Sequence, residues 1–415
     1  MAGRFQSFIE QARRQQRLVV QPRMGFGRIE DMRAGLAAVA ALPCAAIGTI
    51  TLDSYTRVGD YQSPLDNLAR GDKLNGFPII SKPLESVRSM LAPFQEANFP
   101  IQVRHGTARP QRVFHRLVEL GLEATEGGPV SYCMPYSRVP LHEAVHAWRE
   151  ACHILAGGSN HGHIESFGGC LLGQLCPPSL LVAMTLLEAL FFIRYGVGSV
   201  SLSYAQGTLA AQDLGALRAL RELATEYLAG TDWHVVVYTY MGVFPTTDHG
   251  ARALIRDSAR LAKNAGCERL IVKTIAESRQ IPTVQDNLDA LMLTAEAAAD
   301  AESHNDPAST PYFEEIKHEA RTLIDTVLNL DANPGEALVQ AFRYGALDIP
   351  YCLHADNPGR ATTRIDGDGA LRWANTGNLP LPRPFGQAGQ KADVTSAEFL
   401  TMLNFISNRY DQNLQ

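Results

Sequence analysis

Several charged and hydroxyl side chains in this chain stand at the end of a short apolar run. Arg23 closes the stretch from Leu18 to Pro22, and Arg57 closes Asp53-Ser54-Tyr55-Thr56 just past a run at 46–52. Arg104-His105 follows Ile101-Gln102-Val103, Glu126 follows Leu122-Glu123-Ala124, Tyr204 follows Val200 to Ser203, and Lys273 follows Leu270-Ile271-Val272. A guanidinium presents a planar fork suited to gripping carboxylate or phosphate with two bonds. Each of these residues alone reads as a surface salt-bridge partner. Three arginines gathered at one place would repel each other strongly at low effective dielectric unless an anion lay between them. Together they predict a ligand with more than one negative charge.

Such a set needs elements that bring its members to one end. Strand candidates fall at 18–21, 46–52, 77–80, 101–103, 122–124, 200–203, 234–239 and 270–272, and most are separated by helical patterns at 30–41, 84–94, 111–120, 214–228 and 251–265. Apolar strands alternating with helices predict a parallel sheet covered by helices. Eight such units predict an α/β fold, a (β/α)8 TIM barrel, whose active site lies at the C-terminal ends of its strands. On this count Arg104 ends the fourth strand and Glu126 follows the fifth. The connection from 127 to 198 must hold an insertion besides its helix. The barrel's last helix is expected at 283–299 and a polar linker at 301–310, with helices at 313–328 and 335–344. A hairpin is expected where Asp366-Gly367-Asp368-Gly369 separates 363–365 from 371–373. The barrel is assigned to residues 1–304, and a small C-terminal α+β domain to 305–415.

The 415 residues are 46% hydrophobic and 19% charged, with a net charge of −6 and no basic run, which argues against a nucleic-acid partner. Residues 1–17 lack the apolar stretch of a secretory signal. The most apolar run, 180–193, is too short for a bilayer and contains Glu188, so it reads as a buried helix rather than a membrane span. Seven cysteines without a C-x-x-C pair fit reduced thiols and a cytoplasmic location.

One motif points elsewhere. His142-Glu143-Ala144-Val145-His146 matches the H-E-x-x-H zinc-hydrolase signature. His153 lies roughly 10 Å farther along the same helix, too far to join one metal, so a helix with surface histidines and no metal is expected. An idle scaffold barrel is a further alternative, against which the intact Arg23, Arg57, Arg104, Glu126 and Lys273 speak. His161-Gly162-His163 reads as a solvated loop. The Gly127-Gly128 and Gly168-Gly169 pairs read as tight turns with close backbone approach. Asp232-Trp233-His234 is the one D-x-H in the chain, and it lacks the glycine of a D-x-H-x-x-G pattern.

Blocks around these residues resemble, in order, the epsilon subunit family of glutamate mutase (methylaspartate mutase). They are Gln21-Pro22-Arg23 with Gly25, Asp53 to Arg57, Leu74-Asn75-Gly76-Phe77-Pro78, Arg104-His105-Gly106-Thr107, Glu126-Gly127-Gly128 and Ser131 to Tyr136. Pro177-Pro178-Ser179, Met241 to Pro245, Val272-Lys273-Thr274 with Glu277, Ile281-Pro282-Thr283 and Asp348-Ile349-Pro350 follow. The resemblance implies an adenosylcobalamin-dependent radical isomerase interconverting L-glutamate and (2S,3S)-3-methylaspartate. It implies that Arg23, Arg57 and Arg104 grip the two carboxylates of glutamate, that His105, Tyr132 and Tyr136 complete the pocket, and that Glu126 meets the amino group as the acid–base residue. Gly25, Asn75, Pro135, Phe244, Lys273, Glu277 and Ile281 match cofactor-contacting positions. Adenosylcobalamin would be shared with a separate small cobalamin-binding (sigma) subunit, in a heterotetramer of two large and two small subunits. The family carries a smaller residue where this chain has Met24-Gly25-Phe26.

Overall fold

The structure, a computed structural model, describes residues 3–159, 161–301, 307–382 and 394–412. It begins with α1 (Arg4–Arg14), β1 (Val19–Pro22), α2 (Ile29–Ala40), β2 (Gly48–Thr51), and the short α3 (Ser54–Val58) and α4 (Ser63–Ala69). Then come α5 (Leu84–Glu96), β3 (Ile101–Arg104), α6 (Gln111–Glu119), β4 (Ala124–Gly127), α7 (Leu141–Gly158), β5 (His163–Ser166) and α8 (Pro178–Arg194). The barrel finishes with β6 (Ser199–Ala205), α9 (Ala210–Tyr227), β7 (Asp232–Tyr238), α10 (Asp248–Asn264), β8 (Arg269–Val272) and α11 (Val284–Ala299).

All eight strands are parallel, in the order β1-β8-β7-β6-β5-β4-β3-β2. A bridge between Val20 and Ala46 brings β1 to β2. There the Val20 N–H donates to Ala45 O at 2.9 Å and the Ile47 N–H to Val20 O at 3.2 Å. The expected (β/α)8 architecture is therefore present, but its strand count was reached by two compensating errors. Residues 77–80 form no strand, because Pro78 offers no N–H to a ladder and Phe77 makes a lone bridge to Leu52. The missing strand is β5, inside the connection read as an insertion, and His163 opens it rather than lying in a solvated loop. Its sequence, His-Ile-Glu-Ser, hides it because this part of the barrel interior is polar. Arg104 consequently ends the third strand, and Glu126 sits within the fourth.

α8 is buried almost all round, as its composition predicts. Side-chain caps set the starts of two helices near the mouth: Asp53 accepts from the Tyr55 and Thr56 N–H groups, and Thr283 with Asp286 forms a capping box. α1 closes the bottom of the barrel. Its Phe5, Ile9 and Ala12 pack on Val19, Ile47 and Ala124, a face of helical spacing in a segment whose overall composition is polar.

After the barrel, α12 (Ser309–Leu328) packs on α8 and α9, and α13 (Pro334–Tyr344) packs on α7. The expected hairpin is β9 (Thr362–Ile365) with β10 (Leu371–Asn375). α14 (Ser396–Gln412) lies on α10. Phe313, Ile316, Leu323 and Trp373 join the same apolar cluster as the barrel helices. Residues 302–306 of the expected linker lie outside the described residues.

Candidate active site

Side chains alternate between the two faces of a strand, so residues two apart share the barrel interior. Near the bottom, His163 and His234 stack with ring centroids 5.2 Å apart, and Phe5 lies 4.7 Å from His163. Burial, followed by the charge of Arg269, holds both imidazoles well below their ordinary pKa and hence neutral. In the layer above, the fully buried Arg269 donates from Nε to His234 Nε2 at 3.3 Å and from Nη2 to Ser201 Oγ at 2.9 Å. It also donates to Gln21, to Gln102 and, as a buried ion pair, to Glu165. Gln102 adds a bond of 3.1 Å to the same Glu165 oxygen. These acceptors satisfy all three guanidinium nitrogens, which is what makes a charge tolerable so deep in a core.

The top layer belongs to Arg104 and Glu126. Arg104 Nε donates to Glu126 Oε2 at 2.7 Å, and both side chains are buried. The Tyr238 hydroxyl lies 2.7 Å from the same oxygen, and the Tyr132 hydroxyl donates to Oε1. Burial alone would raise the Glu126 carboxyl, but Arg104 and these bonds outweigh it and hold Glu126 below the usual carboxylate range. Burial and the Glu126 charge push the two phenols far up, so both keep their protons. His105, beside them, is pushed down to about 3 by burial and is neutral. Its Nδ1 accepts from the Thr107 N–H at 3.2 Å, so the ring proton sits on Nε2. That Nε2–H is buried and has no partner among the described residues.

The turn-rich segment 128–137 carries Tyr132, Pro135 and Tyr136 over the mouth. Glu188 of α8 anchors it, accepting from the Val130 and Ser131 N–H groups at 3.1 and 2.8 Å and from Ser131 Oγ at 2.9 Å. Gly128 is required here, since a Cβ would lie 2.1 Å from the Glu188 carboxylate. Gly127 holds φ +137 under Trp148.

On the other side of the mouth, Arg23 pairs with Glu277 at 3.0 Å, and Lys273 lies 3.6 Å from the same carboxylate oxygen. Lys273 sits 5.1 Å from the centre of the Phe244 ring. Burial, only partly offset by Glu277, pushes the Lys273 ammonium down to about 8. Gly25 packs so closely that a Cβ would meet Thr51 O at 2.3 Å, and Asn75 bridges to Phe26 next door. Ile281 and Tyr136 are about half exposed at the rim. Arg57, on α3, makes no ion pair among the described residues. It lines a cavity of about 980 Å³ together with Tyr136, Arg109, Arg112 and Arg138.

The predicted site residues thus come from the strand ends and following loops of β1, β2, β3, β4, β7 and β8. Tyr204 does not join them: it faces the helix layer, where its hydroxyl donates to Asp213 of α9 at 2.8 Å. Met24 likewise points outward, against Gly35 of α2, so its size bears on helix packing and not on the mouth. The mutual repulsion expected of the arginines is also smaller than expected, since Arg104 and Arg23 each hold a carboxylate. The sequence reading missed Tyr238, Glu165 and Arg269. The two-residue alternation His234–Val236–Tyr238 could have located Tyr238. Glu165 lies on β5, the strand that the sequence pattern hides, and Arg269 opens β8 one residue before the expected start.

His142 and His146 lie on the exposed face of α7, where Glu143 pairs with Arg109 and His146 faces Glu150. Among the described residues no three His, Cys, Asp or Glu side chains gather as a metal set would. His234 of the D-x-H segment is buried inside β7. No helix among the described residues is long and apolar enough to cross a membrane.

Comparison with known proteins gives one family. The family model described as methylaspartate mutase E chain (MutE) matches residues 1–394. The glutamate mutase epsilon subunit of Yersinia enterocolitica is 30% identical over 381 residues, covering 88% of this chain and 78% of the relative. That of Haloarcula marismortui is 31% identical over 378 residues, covering 88% and 77%. That of Escherichia coli O157:H7 is 29% identical over 398 residues, covering 92% and 82%.

Proposed function

Because the chain belongs to the methylaspartate mutase E chain family, we propose that it is the large subunit of a glutamate mutase that interconverts L-glutamate and (2S,3S)-3-methylaspartate with adenosylcobalamin. The observation that carries this reading is the charge balance of the mouth. Four cations, Arg23, Arg57, Arg104 and Lys273, face two carboxylates, Glu126 and Glu277. Two positive charges remain for a ligand, the complement of a dicarboxylate.

Arg104 uses Nε for Glu126, which leaves its terminal N–H groups to grip a substrate carboxylate; Arg57 and Arg23 would take the other. His105 offers its unpaired Nε2–H, and Tyr132 and Tyr136 wall the pocket. Glu126 is placed to accept the proton of a bound ammonium. A free amine lone pair stabilises an adjacent carbon radical better than an ammonium does, so this proton transfer favours the rearrangement.

The rim suits adenosylcobalamin. Arg23 Nε, His105 Nε2 and Thr274 Oγ1 are buried at the mouth without a partner among the described residues, the condition of a site completed by a ligand. Tyr136, Val243 and Ile281 expose apolar surface there. Gly25, Asn75, Pro135 and Phe244 would lie against the cofactor, with the Lys273–Glu277 pair toward its ribose. When bound, adenosylcobalamin supplies the carbon radical that starts the reaction. The residues of this chain fix the substrate's orientation and keep water away.

The relatives are named as epsilon subunits, which supports a multi-subunit enzyme; we propose a separate small cobalamin-binding subunit as the partner and two of each subunit in a heterotetramer. The cysteines, none of which is in a disulfide, fit the cytoplasm. The test is to mix this chain with a cognate small subunit, adenosylcobalamin and L-glutamate. Formation of 3-methylaspartate is expected. Its absence with a demonstrably active small subunit would overturn the assignment. Tight stoichiometric cobalamin binding by the chain alone would overturn the two-subunit arrangement.

A further inference from the structure

Tyr238 is the last residue of β7, and its ring is buried against Phe167 with the Arg104 guanidinium 5.4 Å from its centre. Its hydroxyl oxygen lies 2.7 Å from Glu126 Oε2 and, on its other side, is hydrogen-bonded to Glu165 Oε1. A phenol carries one hydrogen. With both carboxylates ionised, one of these two oxygen–oxygen contacts has no hydrogen in it. In that state the three groups have room for one further proton.

The groups around this unit are also paired on each side. Arg104 and Tyr132 face Glu126, and Arg269 faces Glu165. The Cys170 thiol, from the loop after β5, is close enough to feel both carboxylates. Arg269 also donates to Gln21, Gln102, Ser201 and His234. It therefore keeps neutral acceptors if Glu165 becomes protonated.

We propose that Glu126, Tyr238 and Glu165 form a proton relay that holds the substrate's ammonium proton at Glu165 during turnover and returns it at the end. This rests on the reading of Glu126 as the group that meets the substrate amine. An ammonium N–H bond breaks, its electron pair stays on nitrogen, and the proton binds Glu126 Oε2. That proton moves on to the Tyr238 oxygen as the phenolic proton passes to Glu165 Oε1. The products are a free amine, the Glu126 carboxylate, an intact phenol and a Glu165 carboxylic acid. Glu165 is wholly buried beneath the mouth, out of reach of water, so a proton passed to it is not lost to solvent.

The test uses the assembled enzyme with adenosylcobalamin. In Tyr238→Phe, kcat should fall about tenfold or more with KM for glutamate changed less than about threefold, within the range of general acid–base effects. The acid limb of its pH profile should move. Glu165→Gln should give a similar loss, and the double variant should be no worse than either single one. If Glu165→Gln does not fold because Arg269 loses its counter-charge, Tyr238→Phe decides alone. In the isolated chain, infrared difference spectra through an acid titration should show the Glu126 carboxyl band shifted by Tyr238→Phe. A wild-type kcat, or a raised KM with the acid limb unmoved, overturns the relay. If Glu126→Gln removes the limb while Tyr238→Phe leaves it in place, only the relay fails. If Glu126→Gln keeps the limb, the reading of Glu126 itself has failed.

Discussion

Arg104 Nε and Glu126 Oε2 meet at 2.7 Å with both side chains buried, so the arginine that would bind substrate already holds the carboxylate that would take its proton. The pair explains how a cation can wait in a nearly dry pocket before substrate arrives: the Glu126 charge and the bond to it offset the cost of burial. It also ties substrate binding to acid–base chemistry, because a change in either side chain is felt by the other.

Replacing Arg104 by Lys or Met should impair glutamate binding far more than cofactor binding. Lysine cannot reproduce the fork, and losing one partner of a buried charge pair costs on the order of 2–5 kcal/mol. Glutamate affinity measured by calorimetry, beside cobalamin affinity in the assembled enzyme, checks this. Unchanged glutamate affinity would remove Arg104 from the pocket.

Glu126→Gln should keep the shape of the site yet slow turnover by on the order of 10²–10⁴-fold with little change in KM. The wild-type rate should fall as acid protonates Glu126. Since Arg104 depresses this carboxyl, that fall should lie on the acid side of the ordinary carboxylate range. The same depressed pKa contributes folding stability above the ordinary carboxylate pKa, which is lost as pH falls through the folded value. Profiles of kcat against pH for wild type and variant measure the limb, which the glutamine variant should lack.

A double replacement of His142 and His146 should leave activity within about twofold, the small effect expected of surface positions. Both lie on the exposed face of α7, and Glu143 between them is engaged by Arg109. A zinc-dependent activity abolished by the double replacement would contradict the surface role given to them.

Phe5→Ala should destabilise the fold by about 3–5 kcal/mol, as large-to-small changes at buried aromatic sites do. Phe5 closes the barrel bottom, 4.7 Å from His163 and 5.3 Å from the Arg269 guanidinium carbon. Denaturant unfolding of the isolated chain reads the loss. An unchanged midpoint would mean that α1 does not seal the barrel in solution.

The sequence alone determined the fold class and the charged residues at the strand ends of the mouth, because short apolar strands, helical periodicity and charged strand ends are all local patterns. Arg23, Arg57, Arg104, Glu126 and Lys273 were legible in this way, and the blocks around them resemble one family. The tertiary structure decided which of those charges neutralise each other. Arg23 with Glu277, and Arg104 with Glu126, are 254 and 22 residues apart, and no spacing rule relates residues on different strands. It also decided what fills the barrel. β5 and Arg269 escaped the hydropathy pattern because their polar side chains point into an interior where Gln21, Gln102 and Ser201 satisfy them. A buried charge is tolerated through its partners, and those partners are brought together only when the barrel closes.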